Sequence, residues 1–273
     1  MELSIIIVNY NTKYLLERCL ESVERYTIQN TRYEVIVVDN GSTDGSREYL
    51  KTQISNLKTK TQNLKLIFNT CNLGFSKAVN QGIKQAKGDA VLLLNSDTIV
   101  KDGALEKLVE FEKKVKPAII GAKMLNNDGS VQGSCFFFPT INRAISEFWL
   151  NKGNYFSKYI PQEQNPIRVE AVSGGAMLIS REVIDKIGLL DERYFMYFED
   201  FDYCRRAKKY GLKVYYHPSA KVIHEHGASG KHLADSENQW KRMIPSSKIY
   251  YGLLRHHIIS FIIRTGQKIR KKR

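Results

Sequence analysis

Four short runs in the first hundred residues constrain the fold more than any other feature. "LSIIIVN" (3–9), "YEVIVVDN" (33–40), "LKLIFN" (64–69) and "DAVLLLN" (89–95) are dominated by apolar residues and rich in Ile and Val. A strand with one wet face alternates in polarity, whereas an apolar run of this length reads as covered on both faces, as in a parallel sheet. Helical periodicity separates the runs. "YLLERCLESVERY" carries Leu15, Leu16, Cys19, Leu20 and Val23 on one stripe, and "GFSKAVNQGIKQAKG" ends in Gly88, which predicts a C-cap there. The strand–helix alternation predicts right-handed βαβ units, hence an α/β fold with a mostly parallel central sheet flanked by helices.

Each of these runs ends in polar residues: Asn9, "DNGSTDGS", Asn69 to Asn72, and "NSD". In open α/β sheets ligands bind at the carboxyl ends of the strands, so these residues collect where a ligand belongs. After residue 100 the pattern continues with a helix in "DGALEKLVEFEKKV", a strand near 118–125 and a turn at "NNDGS". The segment 139–167 holds three of the six prolines and reads as irregular. "VEAVSGGAMLIS" returns to strand character, and "EDFDYCRRAKKYG" is a helix with acids first, bases last and Gly211 as its stop. "LKVYYHP" and "AKVIHEHG" are expected as two closing strands.

Charge is unevenly placed. The net charge is +14, and the stretch from Lys241 to Arg273 contributes ten Lys/Arg with no acidic residue. The body is therefore nearly neutral and the basic character belongs to residues 231–273, expected as a helical extension of a domain spanning 1–230. Within it Tyr251, Leu254, Ile258, Phe261 and Ile262 recur at helical spacing among basic residues. Such a helix either lies on an anionic membrane surface or packs on the body or a partner copy. Nothing resembles a nucleic-acid recognition module, so nucleic acid is not an expected partner. "MELSIIIVNYN" lacks the features of a signal peptide, and no apolar run approaches the ~18 residues of a membrane span. Cys19, Cys71, Cys135 and Cys204 lack metal-site spacing and suggest reducing cytoplasm.

Several motifs carry chemistry, each with a bland alternative. Asp39 follows a buried strand and can accept the imide N–H of a pyrimidine, or simply close a β–α turn whose Asp44 caps the helix. Asp97 in "LLLNSDT" is either a cap or a ligand for Mg²⁺ or Mn²⁺, cations that need few protein ligands when substrate phosphates assist. His224 and His226 alternate on one face of a strand, as exposed histidines or as partners of Asp97 on Mn²⁺. Glu199, Asp200 and Asp202 suit a helix N-terminus, and Asp200, set among Tyr197 and Phe198, also suits a general base.

Together "SIIIVNYN", "VVDNGSTDGS", "NLGFSKAVNQGI", "LLLNSDT", "VSGGAMLISR", "DERYFMYFEDFDYCRRAKKYG" and "VIHEHGAS" resemble the family-2 inverting glycosyltransferases of the GT-A fold, most of all their bacterial rhamnosyltransferase branch. The resemblance implies a nucleotide-sugar at the ends of the first four strands. Asp39 would read the pyrimidine, with Val8, Tyr10 and Ser42 near the nucleoside. Asn72, Gly74, Lys77 and Asn80 would line the diphosphate and sugar, with Ser96 and Asp97 at the motif that holds the metal. Asn95 stands where the family has its first acid, leaving one carboxylate fewer. His224 would join Asp97 on Mn²⁺ or Mg²⁺. Asp200 would be the catalytic base, beside Glu199, and Gly174 and Gly175 would serve the acceptor. The implied reaction moves a sugar, rhamnose from dTDP-rhamnose or a hexose from a UDP-sugar, to a glycan acceptor linked to polyprenyl diphosphate. The basic tail suits a peripheral protein of the inner membrane face or a homodimer; the alternative to the enzyme is a non-catalytic scaffold.

Overall fold

The computed structural model describes residues 2–26, 32–57, 64–225 and 239–271. Strand β1 (Leu3–Asn9) leads to helix α1 (Lys13–Arg25), β2 (Tyr33–Asp39) to α2 (Ser46–Leu57), and β3 (Leu64–Phe68) to α3 (Phe75–Gln85). β4 (Ala90–Asn95) is followed by short β5 (Thr98–Val100) and α4 (Ala104–Val115). Then come β6 (Ala118–Leu125), β7 (Val131–Gln132), β8 (Cys135–Phe136), and α5 (Ile141–Ala144), which runs into a π-helical turn at Ile145–Trp149. β9 (Ile167–Arg168), β10 (Ala171–Val172) and β11 (Ala176–Ser180) precede α6 (Arg181–Ile187) and α7 (Glu199–Lys209). β12 (Lys213–His224), α8 (Gln239–Tyr251) and α9 (Leu253–Lys271) complete the described chain.

The main sheet runs β3-β2-β1-β4-β11-β6-β12-β5. Its first four strands are parallel, as the unbroken apolar runs predict. Alternate residues of each strand feed opposite layers: Ile5 and Ile7 pack with α1 and α4, while Ile6 packs with α3. Burial of each such side chain contributes about 1.5–3 kcal/mol. Register then fixes function-bearing positions, because Asn9 lies opposite Asp39 and Val8 opposite Asn95. The polar strand tips therefore reach one edge together.

Two local expectations need correction. α3 ends at Gln85 with Ala86, not Gly88, as its C-cap. Gly88 instead lies against β1, where a Cβ would come 2.5 Å from the Ser4 nitrogen, so close backbone approach is what demands glycine. The two closing strands are one, β12, whose pairing with β6 shifts register between His217 and Lys221. Beyond that shift β12 also pairs with β5, setting His224 opposite Thr98 and hence beside Asp97.

The basic segment forms two helices meeting at Gly252. On α9, Ile259 and Ile262 are buried against Ala144, Ile141, Ile145 and Phe148. Leu254, Ile258 and Phe261 form a second stripe that stays exposed, with the Trp149 ring edge-on to Phe261. One apolar face thus packs on the body, and another is left open. Among the described residues no helix is long and apolar enough to cross a membrane.

Candidate active site

The strand tips are held by one another. Asp39 is fully buried. Its Oδ1 accepts a hydrogen bond from Asn9 Nδ2 (3.1 Å), and its Oδ2 accepts from Ser42 N (3.2 Å) and Arg47 Nε (3.0 Å). Ser42 Oγ accepts from Asn9 and Asn11, and Thr12 links Asn9 to Ser96. Asp44 lies one residue before the cap position, Gly45, yet its side chain serves the helix starts: it accepts from Ser46 N and from Lys13 N, the first amides of α2 and α1. Asn72 Oδ1 accepts from Gly74 N and Asn40 Nδ2, closing a turn that Gly74 completes at φ +89°, a region that favours glycine. A Cβ on Gly74 would also strike Phe195, 2.8 Å away.

That contact joins the strand tips to the loop before α7, as does the hydrogen bond from Phe75 N to Phe195 O (2.7 Å). In this loop Tyr197 and Phe198 both hold positive φ, at 69° and 68°. Non-glycine residues there cost about 1–2 kcal/mol each. Packing of Phe198 with Tyr194 and Tyr250 offsets the strain, and Ser246 of α8 donates to Met196 O (2.7 Å). The C-terminal segment thereby braces the entrance of α7.

Glu199 and Asp200 open α7 at the positive end of its dipole. Asp200 accepts from Gly174 N (3.2 Å) and Phe201 N (2.8 Å), while Glu199 Oε2 is buried with no hydrogen-bond partner among the described residues. Burial, and then the Asp200 carboxylate, push Glu199 up to about 8. Burial also raises Asp200, against the pull of the two amides and the Lys158 cation. The two amides and the Lys158 cation favour the charged form of Asp200, whereas Glu199 Oε2 has no such donor, so Asp200 is the carboxylate placed to take a proton. Asp202 is spent on Arg205 (2.8 Å) and Arg206 (2.9 Å), a structural use.

A cavity of about 400 Å³ brings these groups together. Val8, Tyr10, Asn72, Gly74, Ser96, Asp97, Gly174, Gly175, Glu199, Asp200 and His224 all line it. Asp39 and Ser42 lie beneath the strand tips rather than on this wall, and Lys77 is exposed on α3. Asn80 is buried and braces the 190–192 loop: it donates to Leu190 O and Glu192 Oε1 and accepts from Leu190 N. His226 lies outside the described residues.

Asp97 Oδ1 and His224 Nε2 are 3.4 Å apart, both nearly buried. Among the described residues no cluster of three or more His, Cys, Asp or Glu forms a ready-made metal cage. A carboxylate and an imidazole nonetheless suit Mn²⁺ completed by substrate phosphates. Gly175 preserves the space beside them, since a Cβ there would lie 2.9 Å from Met124 Cε, 3.3 Å from Asn95 Nδ2 and 3.6 Å from His224 Nε2. The residues present fit such a cation.

The cavity has further walls that local pattern did not reveal. Lys158, from the irregular segment, lines it and lies 5.6 Å from the Phe136 ring, with no ion pair among the described residues. Burial lowers its pKa, and Asp200 opposes that shift. An antiparallel bridge between Tyr159 and Cys135 holds it in place. Met243 of α8 also reaches the cavity. No periodicity in 139–167 or 239–251 announces either residue.

The sheet order and these strand tips define the GT-A fold, which solved structures share. Similar structures include GalNAc-T7 with UDP, GalNAc and Mn²⁺ (TM-score 0.65, 21% identity, covering 83% of this chain and 44% of that one). A mannosyltransferase from Pyrobaculum calidifontis in complex with GDP-Man and Mn²⁺ is also similar (TM-score 0.62, 18% identity, 93% and 62%). The model of glycosyl transferase family 2 matches residues 4–188, and the chain belongs to that family. It is 30% identical over 241 residues to the N-acetylglucosaminyl-diphospho-decaprenol L-rhamnosyltransferase of Mycobacterium tuberculosis, covering 81% of this chain and 75% of that protein. It is 24% identical over 229 residues to a dTDP-rhamnosyl transferase of Shigella flexneri, covering 81% and 68%. The protein is a rhamnosyltransferase-like glycosyltransferase.

Proposed function

We propose that the protein transfers rhamnose from dTDP-rhamnose, with inversion, to a hydroxyl of a lipid-linked glycan. The observation that carries the reading is one cavity with Asp97 and His224 on one wall and Asp200 on another. The strand tips would seat the nucleoside diphosphate, with Asn72 and Gly74 beside the phosphates. Mn²⁺ or Mg²⁺ on Asp97 and His224 would supply positive charge against the leaving diphosphate. The acceptor oxygen attacks the anomeric carbon, its proton passes to Asp200, and the bond to the diphosphate oxygen breaks. Nucleoside diphosphate departs, and a single displacement inverts the anomeric centre. Glu199, whose burial disfavours its charged form, leaves Asp200 to take that proton. The names of the mycobacterial and Shigella relatives support the rhamnose donor and, for the former, a lipid diphosphate acceptor.

Transfer from a panel of dTDP- and UDP-sugars tests this, with Asp200→Asn alongside. The expected result is turnover of dTDP-rhamnose that the variant loses while still binding donor. Turnover of a UDP-hexose alone would overturn the donor, and full activity of the variant would overturn the base.

The exposed stripe Leu254, Ile258 and Phe261, interleaved with Arg255 and Arg264, supports attachment to an anionic membrane face. Sedimentation with vesicles containing anionic lipid should carry down the wild type, and Leu254→Glu/Phe261→Glu should abolish it. Equal sedimentation of both would remove this surface from the proposal.

A further inference from the structure

The hairpin turn after β6 does more than reverse the chain. Asn126, Asp128, Ser130 and Gln132 form one line of hydrogen bonds that ends on His224. Ser130 Oγ donates to Asp128 Oδ1 (2.6 Å), and Asn126 Nδ2 donates to Ser130 Oγ (2.9 Å). Gln132 Nε2 donates to Asn126 Oδ1 (2.9 Å) and, at 3.4 Å, to the carbonyl of His224 itself. Gln132 Oε1 then lies 2.7 Å from His224 Nδ1.

The direction of this line is not arbitrary. An ionised carboxylate only accepts, and the hydrogen bonds from Ser130 hold Asp128 below its usual range. Ser130 must therefore give its proton to Asp128 and accept from Asn126. Asn126 in turn presents its oxygen to the Gln132 amide nitrogen. That leaves Gln132 Oε1, an acceptor, facing the histidine, so Nδ1 carries the hydrogen. His224 Nε2 is the ring nitrogen that faces Asp97 Oδ1 at 3.4 Å, in position to give its lone pair to a cation. β7 supplies the rigidity, since Gln132 pairs across from Met124 on β6, the strand that carries β12 on its other edge.

We propose that Gln132 is a positioning residue that fixes His224 as the Nδ1–H tautomer and so delivers Nε2 to a divalent cation shared with Asp97. The inference rests on the reading of Asp97 and His224 as cation ligands. Partners of this kind on a ligating histidine change metal affinity by about 10–100-fold when removed.

The test is Mn²⁺ binding to the full chain, followed by electron paramagnetic resonance with UDP or dTDP present, in wild type, His224→Ala, Gln132→Met and Gln132→Glu. Gln132→Met keeps the bulk and loses the acceptor, whereas Gln132→Glu keeps an acceptor at the same reach. The expected result is an affinity loss of about 10–100-fold for Gln132→Met and a smaller loss for Gln132→Glu, which keeps the acceptor facing Nδ1 but loses the donor to Asn126 Oδ1 and the His224 carbonyl. Loss in His224→Ala but not in Gln132→Met would overturn the role of Gln132 and leave the cation site standing. Unchanged affinity in His224→Ala, or no binding by the wild type, would remove the cation site and this inference with it. Two-bond ¹H–¹⁵N spectra of the imidazole, with Mg²⁺ in place of Mn²⁺, add a readout that folding alone does not move. Wild type should show Nδ1–H at His224 and Gln132→Met should not; an unchanged tautomer in Gln132→Met would overturn the proposal.

Discussion

Asp39 and Glu199 are both covered carboxylates, one under the strand tips and one at the mouth of α7, and their surroundings differ in kind. Asp39 receives three hydrogen bonds, one from a guanidinium, and its neighbours Asn9, Ser42, Thr12 and Ser96 are bonded to each other. Glu199 has an oxygen with no partner among the described residues, stands next to Asp200, and follows two residues of positive φ. The strand-tip wall spends its polar groups on internal order, as suits a surface that must present a fixed shape. The α7 wall leaves Glu199 Oε2 under-satisfied beside a second carboxylate, the kind of pairing that shifts pKa values at functional sites.

The sharpest way to break this contrast is at Asp200. Asp200→Asn should lower turnover by about 10²–10⁴-fold with donor affinity preserved, read by steady-state kinetics and a donor titration. Asp39→Ala should act the other way round, through stability. Removing the acceptor takes one hydrogen bond each from Arg47, Asn9 and Ser42, although Arg47 keeps Asn69 O and Asn9 keeps Ser42 Oγ, and urea unfolding should show a loss of about 1–3 kcal/mol. A small loss would mean that the strand tips are less interlocked than their hydrogen bonds indicate.

Lys158→Met sharpens the description of the α7 wall. The ammonium lowers the pKa of Asp200, so its removal should move the acid limb of the kcat/KM profile to higher pH. An unmoved limb would separate Lys158 from the base. The last effect belongs to Glu199→Gln and is one of stability. The folded pKa of Glu199 is raised from its ordinary 4.5 to about 8. Its protonated form therefore supports the fold fully below the ordinary value, and that support fades as pH rises through about 8. Glu199→Gln should match the wild-type melting temperature at low pH and exceed it at pH above 8, measured by calorimetry across that range.

Much of the strand-tip wall was legible in the chain. Unbroken Ile and Val runs require two covered faces, and the polar residue after each run has nowhere to go but the sheet edge. Tyr10, Asn72, Gly74, Asp97 and Asp200 all line the cavity. The two local misreadings have one cause. Gly88 serves packing against β1, and Pro218 sits inside one long strand at a register shift, so neighbours in space outweighed local propensity.

The sequence by itself determined the alternation of the first four strands with helices and the arrival of Asn9, Asp39, Asn95 and Asp97 at one edge. Those outcomes follow from periodicity and length, which are properties of neighbouring residues. Only the tertiary structure decided that His224 stands beside Asp97, that Gln132 sets its ring, that Lys158 faces Asp200, and that α8 braces the loop before α7. Each of these depends on pairing between segments far apart in the chain. Such contacts are chosen by how the sheet closes and what its faces bury, and local pattern carries no record of that choice.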